Sequence, residues 1–100
     1  MKHKEIADAN NLRLLGYEGG CHFQLDARQK PYESVIREVL ASEAMGAHYA
    51  LFGEWWKREI NDVLCWYNDV SVGPFGAKTL EHGPTSPRFD AIMQMMNANA

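Results

Sequence analysis

The sequence predicts a small, mostly helical α+β protein in which residues 1–100 form a single domain. Three observations support this prediction: proline-free helical periodicity over residues 31–69 after the opening Pro31, clean alternation over residues 21–27, and an amphipathic pattern that begins at Ser86. The 46% hydrophobic and 23% charged content is that of an ordinary globular domain. We therefore expect a β-hairpin or single strand packed on a long bent helix, or helix pair, with a short C-terminal amphipathic helix.

The first 27 residues allow two interpretations. Residues 4–15 have a weak helical pattern that Gly16 would end. Alternatively, residues 12–17 and 21–27 pair as a β-hairpin around a turn at residues 18–20, with Cys21, Phe23 and Leu25 facing inward on the second arm. We favour a strand at residues 21–27.

The central stretch carries two apolar stripes at helical spacing. The first comprises Val35, Ile36, Val39, Leu40, Ala47, Ala50 and Leu51. The second comprises Met45, Tyr49, Phe52, Trp56, Ile60, Val63, Leu64 and Tyr67. One straight helix cannot bury both stripes against one surface. Gly46 and Gly53 lie where the stripes overlap, and each costs about 1 kcal/mol relative to alanine in a helix interior. We predict a bend or break there, or a helix held between two layers.

The last third of the chain divides into a loop and a helix. Residues 69–86 are rich in glycine and proline and predict a loop, with room for a short strand at residues 78–81. Ser86 is suited to the N-cap and Pro87 to the first helical position. The apolar face of the predicted helix consists of Phe89, Ile92, Met93 and Met96.

Charge and cysteine content exclude several classes of protein. The net charge is −3 and the ten lysines and arginines are scattered, which argues against direct nucleic-acid binding. No apolar run is long enough to span a membrane, and no secretory signal is evident. Cys21 and Cys65 are too few for a disulfide framework. These features predict a cytoplasmic protein with two free thiols.

No motif with catalytic or cofactor-binding spacing is present. A glycine-rich phosphate loop, a two-histidine zinc helix and paired-cysteine zinc signatures are all missing. The residues able to bind a metal or act as a nucleophile are Cys21, His22, His48, Cys65 and His82. We interpret the cysteine at position 21 as a small core residue and the histidines as surface groups. The sequence therefore predicts a protein that is not an enzyme and holds no cofactor.

Two acidic residues are aligned along the predicted central helix. Glu43 falls at the centre of the first apolar face, and Glu54 follows eleven residues later, almost in line. Two aligned carboxylates suit a cation or a basic partner. The alternative is that Glu43 accepts a salt bridge from an arginine such as Arg13 or Arg88, or marks where the first helix leaves the core.

A second candidate surface combines tryptophan with acidic residues. Trp55, Glu59, Asp62 and Trp66 are spaced i, i+4, i+7 and i+11, which places them along one line of a continuous helix. Tryptophan is enriched at interface hot spots. Either the core covers both tryptophans or they form an interface with a basic partner or a second copy of the chain.

These observations favour a non-catalytic regulator or inhibitor that binds another protein and occludes a basic surface. Small, mildly acidic, motif-free domains include many inhibitors carried by phages and mobile elements, and an anti-defence role is our expectation from that class. A homo-oligomer is compatible with the modest core. The alternative is an oligomeric small-ligand or metal-binding protein that uses Glu43, His48, Cys65 and nearby aromatics in a pocket between helices.

Overall fold

The computed structural model of the chain describes residues 2–21, 23, 28–67 and 83–98. Four helices are α1 (Lys2–Ala9), α2 (Glu33–Leu40), α3 (Glu43–Glu59) and α4 (Pro87–Ala98), and two strands are β1 (Gly16–Gly19) and β2 (Leu64–Trp66). A 3-10 turn at Lys30–Tyr32 leads into α2. The predicted fold class is confirmed: the protein is mostly helical α+β, with a two-stranded parallel sheet and a C-terminal helix.

Helix α1 ends earlier than the sequence pattern predicts. Asn11 adopts a left-handed backbone with a φ of 55°. The amide of Asn11 donates to the carbonyl of Asp8, and that of Leu12 to the carbonyl of Ala7, at 3.1 and 2.8 Å. These two bonds form a Schellman motif, which satisfies the last carbonyls of the helix. Gly16 therefore does not end a helix but begins β1.

Strand β1 pairs with β2 rather than with the segment that follows it. The strands are parallel, with Gly16 opposite Leu64 and Gly19 opposite Trp66. Cys21 and Phe23 lie outside any strand, and residues 22 and 24–27 of the predicted second arm lie outside the described residues. The hairpin alternative is wrong for β1. Parallel strands need a long crossover connection, which α2 and α3 supply here.

The predicted long helix is a helix pair that separates at Ala41 and Ser42, not at either glycine. Ser42 has an extended backbone, with a ψ of 153°, and its Oγ accepts from the Met45 amide at 3.1 Å. A serine in this position is an N-cap, so α3 begins as a new helix and does not continue α2. The first stripe is thereby divided: its first four residues belong to α2, whereas Ala47 and Leu51 face solvent on α3.

Helix α3 stops ten residues before the predicted end at position 69. The amides of Ile60 and Asn61 both donate to the Trp56 carbonyl, at 2.8 and 2.9 Å. Asn61 then adopts a left-handed φ of 56°, which an α-helix cannot continue through. The chain turns and forms β2, so the prediction of helix beyond Glu59 is wrong.

The core lies between α3 and α4, and two glycines of α3 set how closely the helices approach. A Cβ at Gly46 would lie 2.7 Å from the backbone carbon and oxygen of Pro87, and one at Gly53 would overlap the Met95 sulfur. Tyr49, Ala91 and Ile92 form the buried cluster at this contact. Gly46 and Gly53, predicted as bend sites, are instead the positions at which α4 packs closely against α3.

Helix α4 begins as predicted. The Ser86 Oγ accepts from the Phe89 amide at 3.1 Å, and Pro87 is the first helical residue. Ile92 is buried, but Met93 and Met96 of the predicted apolar face are exposed. Of the loop predicted over residues 69–86, residues 83–86 form neither helix nor strand, and residues 69–82, with the predicted short strand, lie outside the described residues. Within the described ranges, no helix has the length and apolar character that crossing a bilayer requires.

Candidate functional site

Five aromatic side chains of α3 and β2 form one connected group, which we call the aromatic cluster: Tyr49, Phe52, Trp55, Trp56 and Trp66. Tyr49 and Trp66 stack with ring centroids 5.0 Å apart and an interplanar angle of 13°. Phe52 connects the three tryptophans, because its ring centroid lies 5.9 Å from that of Trp66, 6.0 Å from that of Trp55 and 6.3 Å from that of Trp56. These are favourable aromatic separations.

The cluster extends from the core to the surface. Tyr49 is buried, Trp55, Trp56 and Trp66 are half-buried, and Phe52 is 38% exposed. The indole Nε1 of Trp56 donates to the Asp62 carbonyl at 2.7 Å, which ties the cluster to the turn between α3 and β2. The more exposed rings of the cluster therefore pack against Tyr49, which is buried, and Trp56, which is hydrogen-bonded to the backbone.

The predicted line of Trp55, Glu59, Asp62 and Trp66 does not exist as one helix face. Because α3 ends at Glu59, Trp66 lies on β2 and Asp62 in the turn before it. Phe52 nevertheless contacts both Trp55 and Trp66, so the two tryptophans belong to one cluster by a route that helical spacing does not describe. Glu59 is exposed, and its carboxylate pairs with Arg58 at 3.1 Å.

Asp62 is occupied by a contact within the chain. The Arg13 guanidinium binds both of its carboxylate oxygens, with Nε to Oδ2 at 2.9 Å and Nη2 to Oδ1 at 2.6 Å. The Val63 amide donates to Oδ1 at 2.8 Å. The hydrogen bond from Arg13, followed by the one from Val63, lowers the pKa of Asp62 to about 2. Its charge is thus neutralised locally and is a poor anchor for a basic partner.

Glu43 and Glu54 are aligned on α3, as the spacing predicts, but they do not form a joint site. Glu43 is the first residue of α3 and is exposed, not central to an apolar face, because α3 begins a new helix at this point. Eleven residues of helical rise place the two about 16 Å apart, too far to share one cation. Arg13, a proposed partner of Glu43, binds Asp62 instead.

A cleft of about 210 Å³ lies beside the aromatic cluster. The residues lining it are Gly20, Cys21, Met45, His48, Tyr49, Phe52 and Trp66. Three of the five cluster residues therefore form part of its wall. The volume is below the roughly 300–1,000 Å³ of ordinary small-molecule pockets.

A buried arginine holds one wall of the cleft. Arg88 is buried, and its guanidinium carbon lies 5.9 Å from the Tyr49 ring centroid, with Nη1 3.4 Å from the Cys21 sulfur. The Tyr49 hydroxyl accepts from the Cys21 amide at 2.9 Å. Burial, followed by the hydrogen bond with the Cys21 side chain, raises the pKa of Tyr49. Arg88, which the sequence offered as a salt-bridge partner of Glu43, instead lies against Tyr49 and Cys21, a contact that the positions of these residues in the sequence do not indicate.

The predicted metal ligands are not brought together in the part of the chain that the structure describes. There, no group of three or more histidine, cysteine or acidic side chains is placed to hold a metal ion. His22 and His82 lie outside the described residues. Of the alternative pocket residues, His48 lines the cleft, whereas Glu43 and Cys65 do not. Neither Cys21 nor Cys65 forms a disulfide.

Comparison of the chain with protein-family models, with curated proteins and with solved structures found no match.

Proposed function

We propose that this protein is a non-catalytic regulator or inhibitor that binds another protein through the aromatic cluster and covers a basic surface of that partner. The observation that supports the proposal is the partial exposure of Phe52, Trp55 and Trp66 in one connected group. Large aromatic side chains are enriched in binding hot spots, where they supply contact area with little loss of conformational freedom.

Two tryptophans of the cluster are held by contacts within the chain. Trp56 is anchored to the Asp62 carbonyl, and Trp66 is stacked on the buried Tyr49. Side chains that are already ordered lose less entropy on association than mobile ones, so more of the contact energy remains as affinity. This property favours a binding surface.

Exposed acids near the cluster favour a basic partner. Glu54 is adjacent to Trp55 in the chain, and Glu59 follows Trp55 by one helical turn. Both are exposed, as are Lys57 and Arg58 between them, so the acidic balance that favours a basic partner is that of the whole chain, whose net charge is −3. Complementary charge around an apolar centre raises the association rate and the specificity. Of these acids, Asp62 is held by two hydrogen bonds from Arg13, whereas Glu59 is held by one contact with Arg58 and Glu54 is exposed.

The cleft favours a protein partner over a free small ligand. Its volume of about 210 Å³ is small for a pocket that encloses a metabolite. Its walls are continuous with Phe52 and Trp66 of the cluster, so an apolar side chain of the partner would enter it while the cluster covers the surface around it. A side chain that fills such a pocket at the interface centre is a typical hot spot.

We place this activity in the cytoplasm, where two free thiols are stable. The setting we predict is that of small acidic inhibitors carried by phages and mobile elements, with an anti-defence target. That setting is an expectation from this class of small proteins, whereas the aromatic cluster supports the binding surface.

The first test compares Trp55→Ala with Val35→Ala, a matched truncation of an exposed apolar residue on α2. Each tagged protein captures partners from a lysate of cells in which the protein is naturally made, followed by mass spectrometry and titration of the purified partner. We expect Trp55→Ala to weaken partner binding about 30-fold, as loss of a 2 kcal/mol hot spot would. Val35→Ala should leave it unchanged.

A second comparison tests the charge. The double substitution Glu54→Lys and Glu59→Lys should slow association and reduce its dependence on salt, with circular dichroism confirming that the fold is retained. A partner that binds Trp55→Ala and the double variant as tightly as the original protein would disprove the proposed surface.

A further inference from the structure

The indole of Trp56 is held where three segments of the chain meet. Its Nε1 donates to the Asp62 carbonyl at 2.7 Å, in the turn between α3 and β2. The ring also lies against the first residue of β1, because a Cβ built on Gly16 would come within 3.0 and 3.3 Å of two carbons of its six-membered ring. The placement of this indole therefore depends on the turn and on β1 as well as on α3.

Arg13 fixes the same turn from a distant part of the chain. Its Nε and Nη2 donate to the two oxygens of the Asp62 carboxylate at 2.9 and 2.6 Å, and the Val63 amide donates to one of them at 2.8 Å. Such a two-pronged contact fixes the orientation of both groups as well as their distance. The Gly16 amide adds a bond to the Val63 carbonyl at 2.8 Å. Asp62 thus holds Arg13 through its carboxylate and Trp56 through its carbonyl.

Trp56 in turn supports two of the partly exposed rings of the aromatic cluster. Its ring centroid lies 6.3 Å from that of Phe52 and 6.5 Å from that of Trp55. Those two rings also stack on each other, with an interplanar angle of 23°. Because packed side chains leave little free space around them, a displaced Trp56 would displace both of its neighbours.

We propose that Arg13 and Asp62 are positioning residues for the surface that we assign to partner binding. Their ion pair fixes the turn to which Trp56 is hydrogen-bonded, and that indole fixes the rings of Phe52 and Trp55. This role rests on the proposed function for what the surface binds, whereas the way the rings are held can be measured on the free protein. Exposed ion pairs contribute little to global stability, so we expect the effect of this pair at the indole rather than in the unfolding of the whole chain.

The first measurement is hydrogen exchange of the Trp56 indole proton in the free protein, followed by NMR and assigned with Trp56→Phe. Arg13→Ala should speed this exchange about fivefold, because the turn that carries the accepting carbonyl is released. The increase should exceed any change in the folding equilibrium constant measured in urea. Arg58→Ala is the matched control, since it breaks an exposed arginine contact with Glu59 at the end of the same helix and should leave the exchange unchanged.

A double-mutant cycle shows whether the two residues act as a pair. Asp62→Asn keeps the carbonyl that accepts from Trp56 but removes the carboxylate that binds Arg13, so it should speed exchange by the same factor as Arg13→Ala. The double variant should exchange no faster than either single variant. Additive increases, no increase, or an increase that only matches the loss of global stability would overturn the proposal.

Partner binding connects the pair to function. Because the proposed partner is basic, loss of the positive charge of Arg13 would strengthen binding if charge alone mattered, whereas loss of positioning weakens it. Arg13→Ala should therefore weaken binding of the captured partner about threefold to fivefold. If Arg13→Ala binds as tightly as the original protein while Trp55→Ala binds more weakly, the positioning role is wrong and the proposed surface stands. If Trp55→Ala also binds as tightly, both proposals are overturned.

Discussion

Helices α2 and α3 follow one another in the chain, and each carries an apolar stripe, yet α3 packs part of its stripe against another helix, whereas most of the stripe on α2 is exposed. On α3, Tyr49 packs against Ala91 and Ile92 of α4. On α2, Val35 and Val39 remain exposed. The difference is that α3 has glycines where α4 must approach closely, whereas no described helix covers the outer face of α2. An amphipathic pattern thus identifies a face suited to burial, and the geometry of a neighbour decides whether it is buried.

The largest expected effect separates the two stripes directly. Ile92→Ala removes a buried side chain at the α3–α4 contact and should lower the free energy of unfolding by about 3 kcal/mol. Val35→Ala on α2 should change it by no more than about 0.5 kcal/mol. Urea unfolding of both variants at low protein concentration measures the contrast. Equal losses would show that the two stripes are equally buried.

The glycines of α3 provide the next test. Gly46→Ala forces a methyl group against the Pro87 backbone, and should destabilise the protein by about 2 kcal/mol although alanine favours the helix. At Gly53 the obstacle is the flexible Met95 side chain, so Gly53→Ala should stay within about 1 kcal/mol of the original. Thermal or urea unfolding of the pair decides the matter. A loss at Gly53 as large as that at Gly46 would contradict this account of how α4 packs.

Two tyrosines extend the comparison to hydrogen bonding. Tyr49→Phe removes the acceptor of the Cys21 amide and should cost about 1 kcal/mol of stability. Tyr32→Phe, just before α2, removes the same hydroxyl group at an exposed position where its hydrogen bonds are to water. It should leave the free energy of unfolding nearly unchanged. If both substitutions prove neutral in urea unfolding, the contact between Tyr49 and Cys21 contributes no stability.

The smallest expected effects concern how the free energy of unfolding falls at acidic pH. The pKa of Asp62 is about 2 in the folded protein, against about 3.9 in an unfolded chain. Ionised Asp62 therefore stabilises the fold above about pH 4, and this contribution is lost as the pH falls toward 2. Asp62→Asn should flatten the fall in unfolding free energy across that window, and Arg13→Ala should do the same.

Glu33 on α2 gives the matched comparison for this effect. Its pKa is also lowered, by Lys30 and Arg37, so its contribution is likewise lost on acidification below about pH 4. Its partners are three and four residues away on an exposed helix, and such local pairs contribute little. Glu33→Gln should therefore change the loss of unfolding free energy at acidic pH less than Asp62→Asn does. The reverse order in acid-dependent unfolding would disprove this ranking.

Much of the fold could be predicted because helices are identified by local signals. The C-terminal helix begins where Ser86 and Pro87 predict, and in the second stripe Tyr49 is buried and Trp56 half-buried on α3. The break between α2 and α3 also has a local signal, Ser42 followed by Glu43, whereas the apolar stripes alone point to the glycines.

The candidate site was less predictable. Trp55 and Trp66 do belong to one cluster, but the helical line that suggested it ends at Asn61, whose left-handed backbone the periodicity did not reveal. Asp62 was assigned to a partner-binding face and instead pairs with Arg13, 49 residues away. An ion pair across that distance leaves no periodic pattern in either segment.

The sequence by itself determined that the protein is mostly helical, where α4 begins, and that no catalytic or cofactor motif is present, because these depend on the identities of residues close together in the chain. Only the tertiary structure decided that β1 pairs in parallel with β2, that Gly46 and Gly53 admit α4, and that the stripe on α2 is left exposed. The physical reason is that burial and strand pairing are properties of two surfaces at once. A pattern within one segment shows what that segment can bury, but not which surface meets it.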